Sequence, residues 1–365
     1  MHVLPSRNYF TFAHMPHDEQ DITDSSEELY ERKVLKIDKG QEPYRIDKFL
    51  MNRIEGATRN KLQHAIEAGL VTVNGKSVKP NHKIKALDEI IIYSENAPES
   101  TDVVPEPMDI NIVYEDDSVM IINKPAGMVV HPGSGNYTGT LLNGMAYYLI
   151  NKDPNIDDTV LPRYGLVHRI DKNTSGLLVM AKSAKAAAHL AKQFFNHTVK
   201  RNYLALVWGD IEQDEGTITG HVGRNQRFRK LFDVYPEGEH GKDAITHYKV
   251  LERFNYVTLV ECRLETGRTH QIRVHMKHIG HTLFADHTYG GDRILKGTIF
   301  SKYKQFVDNC FELCPRQALH ARTLGFVHPE TEKEMFFEAP LPTDMEQVIE
   351  KWRRYVKGRP DGLKN

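Results

Sequence analysis

The stretch that most constrains the fold of this chain is residues 165–182, where two short apolar runs, 166–170 and 177–181, bracket a six-residue polar turn ending in Gly176. Both runs are rich in strand formers, so the pattern predicts two neighbouring strands joined by a tight connection. That arrangement sets Asp171 at the mouth of a buried sheet. Arg169 lies two residues earlier on the same strand face, and Thr174 and Ser175 are available to hydrogen-bond the turn backbone. A carboxylate on a rigid support beside a cation can stay ionised and keep a fixed direction, as a nucleophile or general base requires. An Asp beside Gly and Ser also caps turns, so turn chemistry alone leaves both readings open.

Charge is distributed unevenly along the chain. The formal net charge of −1 argues against a nucleic-acid partner until it is divided. Residues 1–43 carry five basic and nine acidic side chains, 44–93 nine and five, and 94–117 eight acids and no base, which leaves about +7 for 118–365. Both regions with folding patterns are therefore basic, and the acid sits in a head and a linker. At 365 residues two domains plus tails are expected. No apolar run approaches membrane-spanning length, and residues 1–30 lack the basic start and apolar core of a secretory signal. Cys262, Cys310 and Cys314 have no metal-site spacing and fit the reduced thiols of a cytosolic, cytoplasmic protein.

In chain order, residues 1–43 read as an acidic, partly disordered head with a short strand near 33–38. Residues 44–93 read as a small module. A helix begins at Arg45, a second spans 59–68 with Leu62, Ala65 and Ile66 inward, Gly69 stops it, and Asn74-Gly75 marks a two-residue hairpin turn. Residues 94–107 are an acidic, Pro-containing linker; 108–356 form the larger domain, and 357–365 a basic tail. Within the larger domain a buried strand is expected at 119–122. Ser183 is placed to cap a helix whose Ala187, Leu190, Ala191, Phe194 and Phe195 are expected in the core. Along the strand 199–209, Tyr203, Ala205 and Val207 share one face. Residues 220–244 look like a mobile hairpin able to grip RNA, with Arg224, Arg227 and Arg229 close together. Thr269 is expected to cap a helix ending at Gly280. His270, His275, His278, His281 and His287 suggest a rival metal site, but the i, i+3 spacing of His275, His278 and His281 drifts around a helix and no acid is interleaved until Asp286, so no metal is expected.

The run His168-Arg169-Ile170-Asp171-Lys172-Asn173-Thr174-Ser175-Gly176 closely resembles the signature of the large-ribosomal-RNA branch of pseudouridine synthases. Residues 123–133, 265–276 and 317–321 resemble further segments of that family. Arg45-Ile46-Asp47-Lys48-Phe49-Leu50, Thr58-Arg59-Asn60-Lys61-Leu62 and Val73-Asn74-Gly75-Lys76 resemble the S4 RNA-binding domain. The fold class implied is α+β, a small S4 (αL-type) RNA-binding domain followed by a mixed-sheet pseudouridine synthase catalytic domain. By this resemblance Asp171 is the catalytic residue, Arg273 its partner and Tyr203 the tyrosine whose ring lies against the target base. A planar guanidinium suits such a partner because its fork can hold a carboxylate through two hydrogen bonds.

Arg169 is then expected to fill the gap left by a flipped nucleotide. His168 and Lys124, with Arg59, Lys61 and Lys76 of the S4 module and Arg224, Arg227 and Arg229 of the hairpin, are expected to touch RNA. The implied activity is conversion of uridine to pseudouridine, most like enzymes acting on helix 69 of 23S ribosomal RNA, with base flipping and no cofactor. Other large-subunit sites or transfer RNA are alternatives, as is a non-catalytic RNA-binding factor in ribosome assembly. The expected partner is ribosomal RNA or a pre-ribosomal particle, with no membrane, and the chain is expected to act as a monomer.

Overall fold

The computed structural model describes residues 30–54, 58–94, 103–132, 136–225 and 231–358; the first 29 residues of the expected acidic head, most of the linker and most of the basic tail lie outside them. The chain divides into two compact units, Met1–Asp102 and Val103–Asn365. In the first, β1 (Tyr30–Lys36), β2 (Tyr44–Arg45), α1 (Ile46–Arg53), α2 (Arg59–Glu67), β3 (Val71–Val73), β4 (Lys76–Ser77), β5 (Lys83–Ile84) and β6 (Glu89–Ser94) follow one another. The strands pair in the order β1-β6-β3-β4, with β2 against β5. Ile46, Leu50, Leu62 and Ile66 from the helices meet Val71, Ile84, Ile90 and Ile92 from the strands in one core. Asn74 (φ 50°) and Gly75 (φ 73°) form the hairpin turn, since both central residues of a tight right-twisting connection need left-handed backbone.

The second unit contains β7 (Ile112–Glu115), β8 (Val119–Lys124), α3 (Leu141–Lys152), β9 (Ser175–Ala181), α4 (Ala184–Phe195), β10 (Lys200–Trp208), β11 (Glu215–Arg224) and β12 (Phe232–Tyr235). It continues through β13 (Lys242–Arg253), β14 (Val257–Leu264), α5 (Gln271–His278), α6 (Ser301–Leu313), β15 (Leu319–Val327), β16 (Glu334–Glu338) and α7 (Thr343–Lys357). Residues 103–107 run with this unit: Val103 packs on its core, and the Asn143 side chain donates to the Val104 carbonyl. The strands form one mixed sheet, β12-β11-β13-β14-β10-β15-β9-β8-β7, with β16 on β15. β9 and β15 run parallel, with His320 opposite Ser175 and Ala321 opposite Gly176. Period-two alternation on β8 and β9 gives both faces a core: Met120, Ile122, Leu178 and Met180 meet α3, while Val119, Ile121, Leu177 and Val179 meet α4.

Three local expectations need correction. Residues 167–174 form no strand, and Leu166 alone bridges to Met180. Here the Val179 N–H donates to Nε2 of His168, so an imidazole takes the place of a strand carbonyl. On α4, Ser183 does cap, accepting from the Ala186 N–H. Of the residues expected in the core, however, Ala191 is exposed and Phe195 is 83% exposed. Thr269 does not cap α5. The capping position is His270 in left-handed backbone (φ 60°), and the Gln271 side chain ties the preceding turn, accepting from the Arg268 N–H and the Thr266 hydroxyl.

Gly176 marks where the polar turn enters the sheet. Its φ is 115°, and a Cβ there would sit 2.2 Å from the Ala321 carbonyl oxygen. Gly176→Ala is therefore expected to destabilise the second unit by about 2–4 kcal/mol, combining backbone strain with a backbone clash. A chemical denaturation midpoint equal to wild type would refute this.

Candidate active site

Asp171 opens a tight turn, in which the Thr174 N–H donates to its carbonyl. Two buried cations clamp this turn from below. Lys124 Nζ donates to the carbonyls of Pro125 (2.7 Å), Met128 (2.9 Å) and Lys172 (3.0 Å). Arg316 donates through Nη1 to the Asn173 carbonyl (3.0 Å), while Nε and Nη2 grip Asp344 at the start of α7. Burial pulls the Lys124 ammonium down to about 7, and the nearby positive charge of Arg316 adds to the pull. Three carbonyls nevertheless match the three donors of an ammonium. Lys124 is fully buried, so it is a structural clamp and offers RNA no contact.

Above the turn, one guanidinium holds two carboxylates. Arg273 Nη1 donates to Asp171 Oδ2 at 3.0 Å, while Nε and Nη2 form a two-pronged pair with Asp286, each at 2.8 Å. The fork expected for Asp171 thus goes to Asp286, which also accepts from the Thr288 and Tyr289 N–H groups. Asp171 keeps one oxygen on Arg273; among the described residues its other oxygen, Oδ1, accepts no hydrogen bond, and the side chain is 20% exposed. Burial opposes the Arg273 charge, but the two acids outweigh it and raise its pKa.

Tyr289 completes the support. Its hydroxyl accepts from the Phe232 N–H at 3.1 Å and meets His270 Nδ1 at 2.8 Å, and its ring lies 5.0 Å from the Arg273 guanidinium carbon. Burial lowers the His270 pKa, favouring the neutral ring. The other ring nitrogen, Nε2, stands 3.9 Å from Asp171 Oδ2.

Asp171, Arg273 and Tyr203 line one cavity of about 470 Å³, within the range of small-molecule sites. Tyr203 is buried in the sheet, and burial raises its hydroxyl pKa. His168, Arg169, Phe195, Arg201 and Arg268 share the lining. A second cavity of about 420 Å³ lies across Asp171, sharing Arg169, Ile170, His270 and Arg273 with the first. Arg169 stands exposed between the two and makes no hydrogen bond or ion pair with any described residue. His168 is stacked on Phe194, and burial followed by the Arg201 charge holds its pKa down at about 3. With Nε2 occupied by the Val179 N–H, the imidazole is a fixed part of the cavity wall.

The other sequence-designated residues are dispersed. Arg224 is exposed at the end of β11, over the Phe232 ring, while Arg227 and Arg229 lie outside the described residues. In the first unit Lys76 is exposed, and the side chain of Lys61 lies outside the described set. Arg59 is half-exposed and held by Asp47, a fully buried carboxylate that also accepts from Arg45 and Gln63. The arginine bonds carry Asp47 well below the usual carboxylate range. Among the described residues no three His, Cys, Asp or Glu side chains converge on a metal geometry. The sequence designates none of Asp286, Tyr289 and Arg201 as site residues, although the segment 285–291 that holds the first two resembles a family loop, with Ala285 and His287 where Gly and Pro are usual. Asp286-His287-Thr288-Tyr289-Gly290 carried the signal, as an acid and an aromatic in a tight turn just beyond the Arg273 helix.

A basic cavity with a partly free carboxylate, in a chain that also carries a small basic helix–sheet module, defines an enzyme acting on a polyanion. Comparison with known proteins specifies which one. The family described as RNA pseudouridylate synthase matches residues 118–278, and the S4 domain matches 45–90. An RNA pseudouridine synthase of Chlorobaculum parvum is 48% identical over 88% of this chain and 97% of its own length. A protein of Neisseria meningitidis serogroup B named ribosomal large subunit pseudouridine synthase D is 43% identical over 84% of this chain and 78% of its own. The structure of human RNA pseudouridylate synthase domain containing 4 shares the fold, with a TM-score of 0.53 at 23% identity over 67% of this chain and 93% of that one. The chain belongs to the RNA pseudouridylate synthase family and is an RNA pseudouridine synthase carrying an S4 domain.

Two outcomes follow from the buried charges. Asp286→Ala leaves Arg273 desolvated with a single partner, and is expected to cost about 3–5 kcal/mol in denaturant titration; a loss below about 1 kcal/mol would contradict the pairing described. His275 is fully buried on α5, both ring nitrogens lack a partner among the described residues, and burial lowers its pKa to about 4. Its folded pKa lies below the unfolded value of roughly 6.5, so it contributes stability above pH 6.5 that is lost as pH falls toward 4. His275→Leu should flatten that acid limb of the stability curve; an unaltered slope would show that His275 does not titrate as described.

Proposed function

We propose that this enzyme isomerises specific uridines of 23S ribosomal RNA, in the helix 69 region, to pseudouridine, with Asp171 as the reacting carboxylate. The observation that carries this reading is the division of Arg273. Its fork is committed to Asp286, so Asp171 is held by one oxygen while Oδ1 remains available at the cavity. A carboxylate fully wrapped by a guanidinium would have to break that pair to react. One fixed at a single oxygen can act while keeping its direction.

The reaction breaks the bond from ribose C1′ to uracil N1, turns the uracil and joins C1′ to C5; N1 gains a proton and C5 loses one. Atoms and electrons balance without a cofactor. Asp171 serves as nucleophile at C1′ or C6, or as base at C2′, chemistry related to carboxylate catalysis of glycoside cleavage. Tyr203, on the wall of the cavity, supports the base. Arg169, exposed between the two cavities, takes the space that the flipped nucleotide leaves in the RNA stack. The S4 module supplies phosphate contacts through Arg59 and Lys76.

The large-subunit substrate is supported by the name of the Neisseria meningitidis relative, ribosomal large subunit pseudouridine synthase D, and by a 40% identical Zymomonas mobilis protein of the same name. Action on ribosomal RNA implies a cytoplasmic enzyme. The test is pseudouridine mapping of ribosomal and transfer RNA from cells with and without the gene, rescued by wild type or Asp171→Asn. Pseudouridines lost from 23S RNA and restored only by wild type are expected. Loss from transfer RNA alone would refute the substrate, and rescue by Asp171→Asn would refute the role of the carboxylate.

A further inference from the structure

Among the described residues Arg201 is a buried cation without a counter-ion. Its side chain lines the Asp171 cavity, yet the residue is only 8% exposed. Among the described residues no carboxylate lies within ion-pair distance, Nε has no hydrogen-bond partner, and the sole polar contact is a long one of 3.5 Å from Nη2 to the Glu265 carbonyl. The guanidinium is held in place by shape. Its carbon stands 5.4 Å from the centre of the Phe194 ring, and Gly267 leaves it room, since a Cβ there would lie 2.8 Å from Nη1. Burying an unpaired charge is costly, and a fold that retains one has a site for the missing anion.

Register says which anion. Arg201 and Tyr203 are two residues apart on β10 and face the same side, about 6.6 Å apart along the strand. That spacing is of the order of the separation between a pyrimidine ring and the phosphate of its own nucleotide. We propose that Arg201 binds a backbone phosphate flanking the uridine held in the cavity, so that the target nucleotide is gripped at phosphate and base together. This rests on the reading that the cavity takes the target uridine. Arg201 is a substrate-binding and positioning group, separate from the Asp171–Arg273–Asp286 set. The RNA brings in the counter-charge that the protein lacks, which couples phosphate entry to seating of the base.

The test crosses Arg201→Met with RNA in which either phosphate flanking the target uridine is replaced by a neutral methylphosphonate. Affinity and single-turnover rate are measured for the full-length enzyme on unmodified large-subunit RNA fragments. Loss of a charge-assisted hydrogen bond should weaken kcat/KM by about ten- to a hundredfold, mostly through KM. The slope of log affinity against log salt should fall by about 0.7. One of the two methylphosphonates should reduce wild type similarly and have no further effect on Arg201→Met. Arg201→Lys should restore part of the loss, and Arg201→Met should keep the wild-type melting temperature or exceed it, because the unpaired charge is gone. Additive effects at both phosphates, or unchanged kcat/KM with a lowered melting temperature, would overturn the proposal and make Arg201 a packing residue. Asp171→Asn in the same affinity assay keeps the two readings apart: if it turns over, the catalytic reading fails while the phosphate cycle is still read from binding.

Discussion

Arg273 has one guanidinium and two carboxylates to satisfy, and the second unit is arranged around how that conflict is settled. Asp286 receives the two-pronged pair and two backbone N–H groups, so it is fully satisfied in the interior. Asp171 receives the remaining Nη1 and stays partly open. The trio carries a net negative charge in a buried setting, which is tolerable because Asp171 reaches the cavity and basic side chains surround it. Asp286 can therefore be understood as the anchor that keeps Arg273 from collapsing onto the carboxylate it positions.

The same economy appears beneath the turn. Lys124 and Arg316 would be read in isolation as RNA-binding cations, yet both are buried and spend their donors on backbone carbonyls of residues 172 and 173. A short polar turn has few backbone bonds of its own, and such cations supply the rigidity that strand pairing would otherwise give. The segment before the turn is held by equivalent means, with the His168 ring accepting a strand N–H. Fixing Asp171 by side chains in place of a regular hairpin leaves its approach open on two sides, hence the two cavities that share it.

Much of the fold was legible because it depends on short-range chemistry. Asn74-Gly75, Gly69, the Ser183 cap and the strand-forming run around Tyr203 each specify their own conformation within a few residues. What was not legible depends on partners distant in sequence. The turn motif singled out Asp171, but nothing near Arg273 indicates that its fork belongs to a residue thirteen positions on. Lys124 was misread because a lysine before a Pro turn is ordinarily solvated, and the three carbonyls that enclose it are assembled only by the fold. Phe195 continues the apolar period of its helix yet stands exposed at the Asp171 cavity, which the period alone does not reveal. Arg201 is adjacent to conspicuous motif residues, and only the fold reveals that it is buried without a carboxylate partner among the described residues.

The central claim is that the free oxygen of Asp171 performs the chemistry while the surrounding residues hold it. The most direct measurement is single-turnover pseudouridine formation by purified wild type and Asp171→Asn on unmodified 23S ribosomal RNA, with RNA affinity determined on the same samples. The account predicts that Asp171→Asn binds the RNA as wild type does and forms no pseudouridine. Turnover by that variant at a rate near wild type, with affinity unchanged, would contradict it and reduce Asp171 to a structural member of the turn.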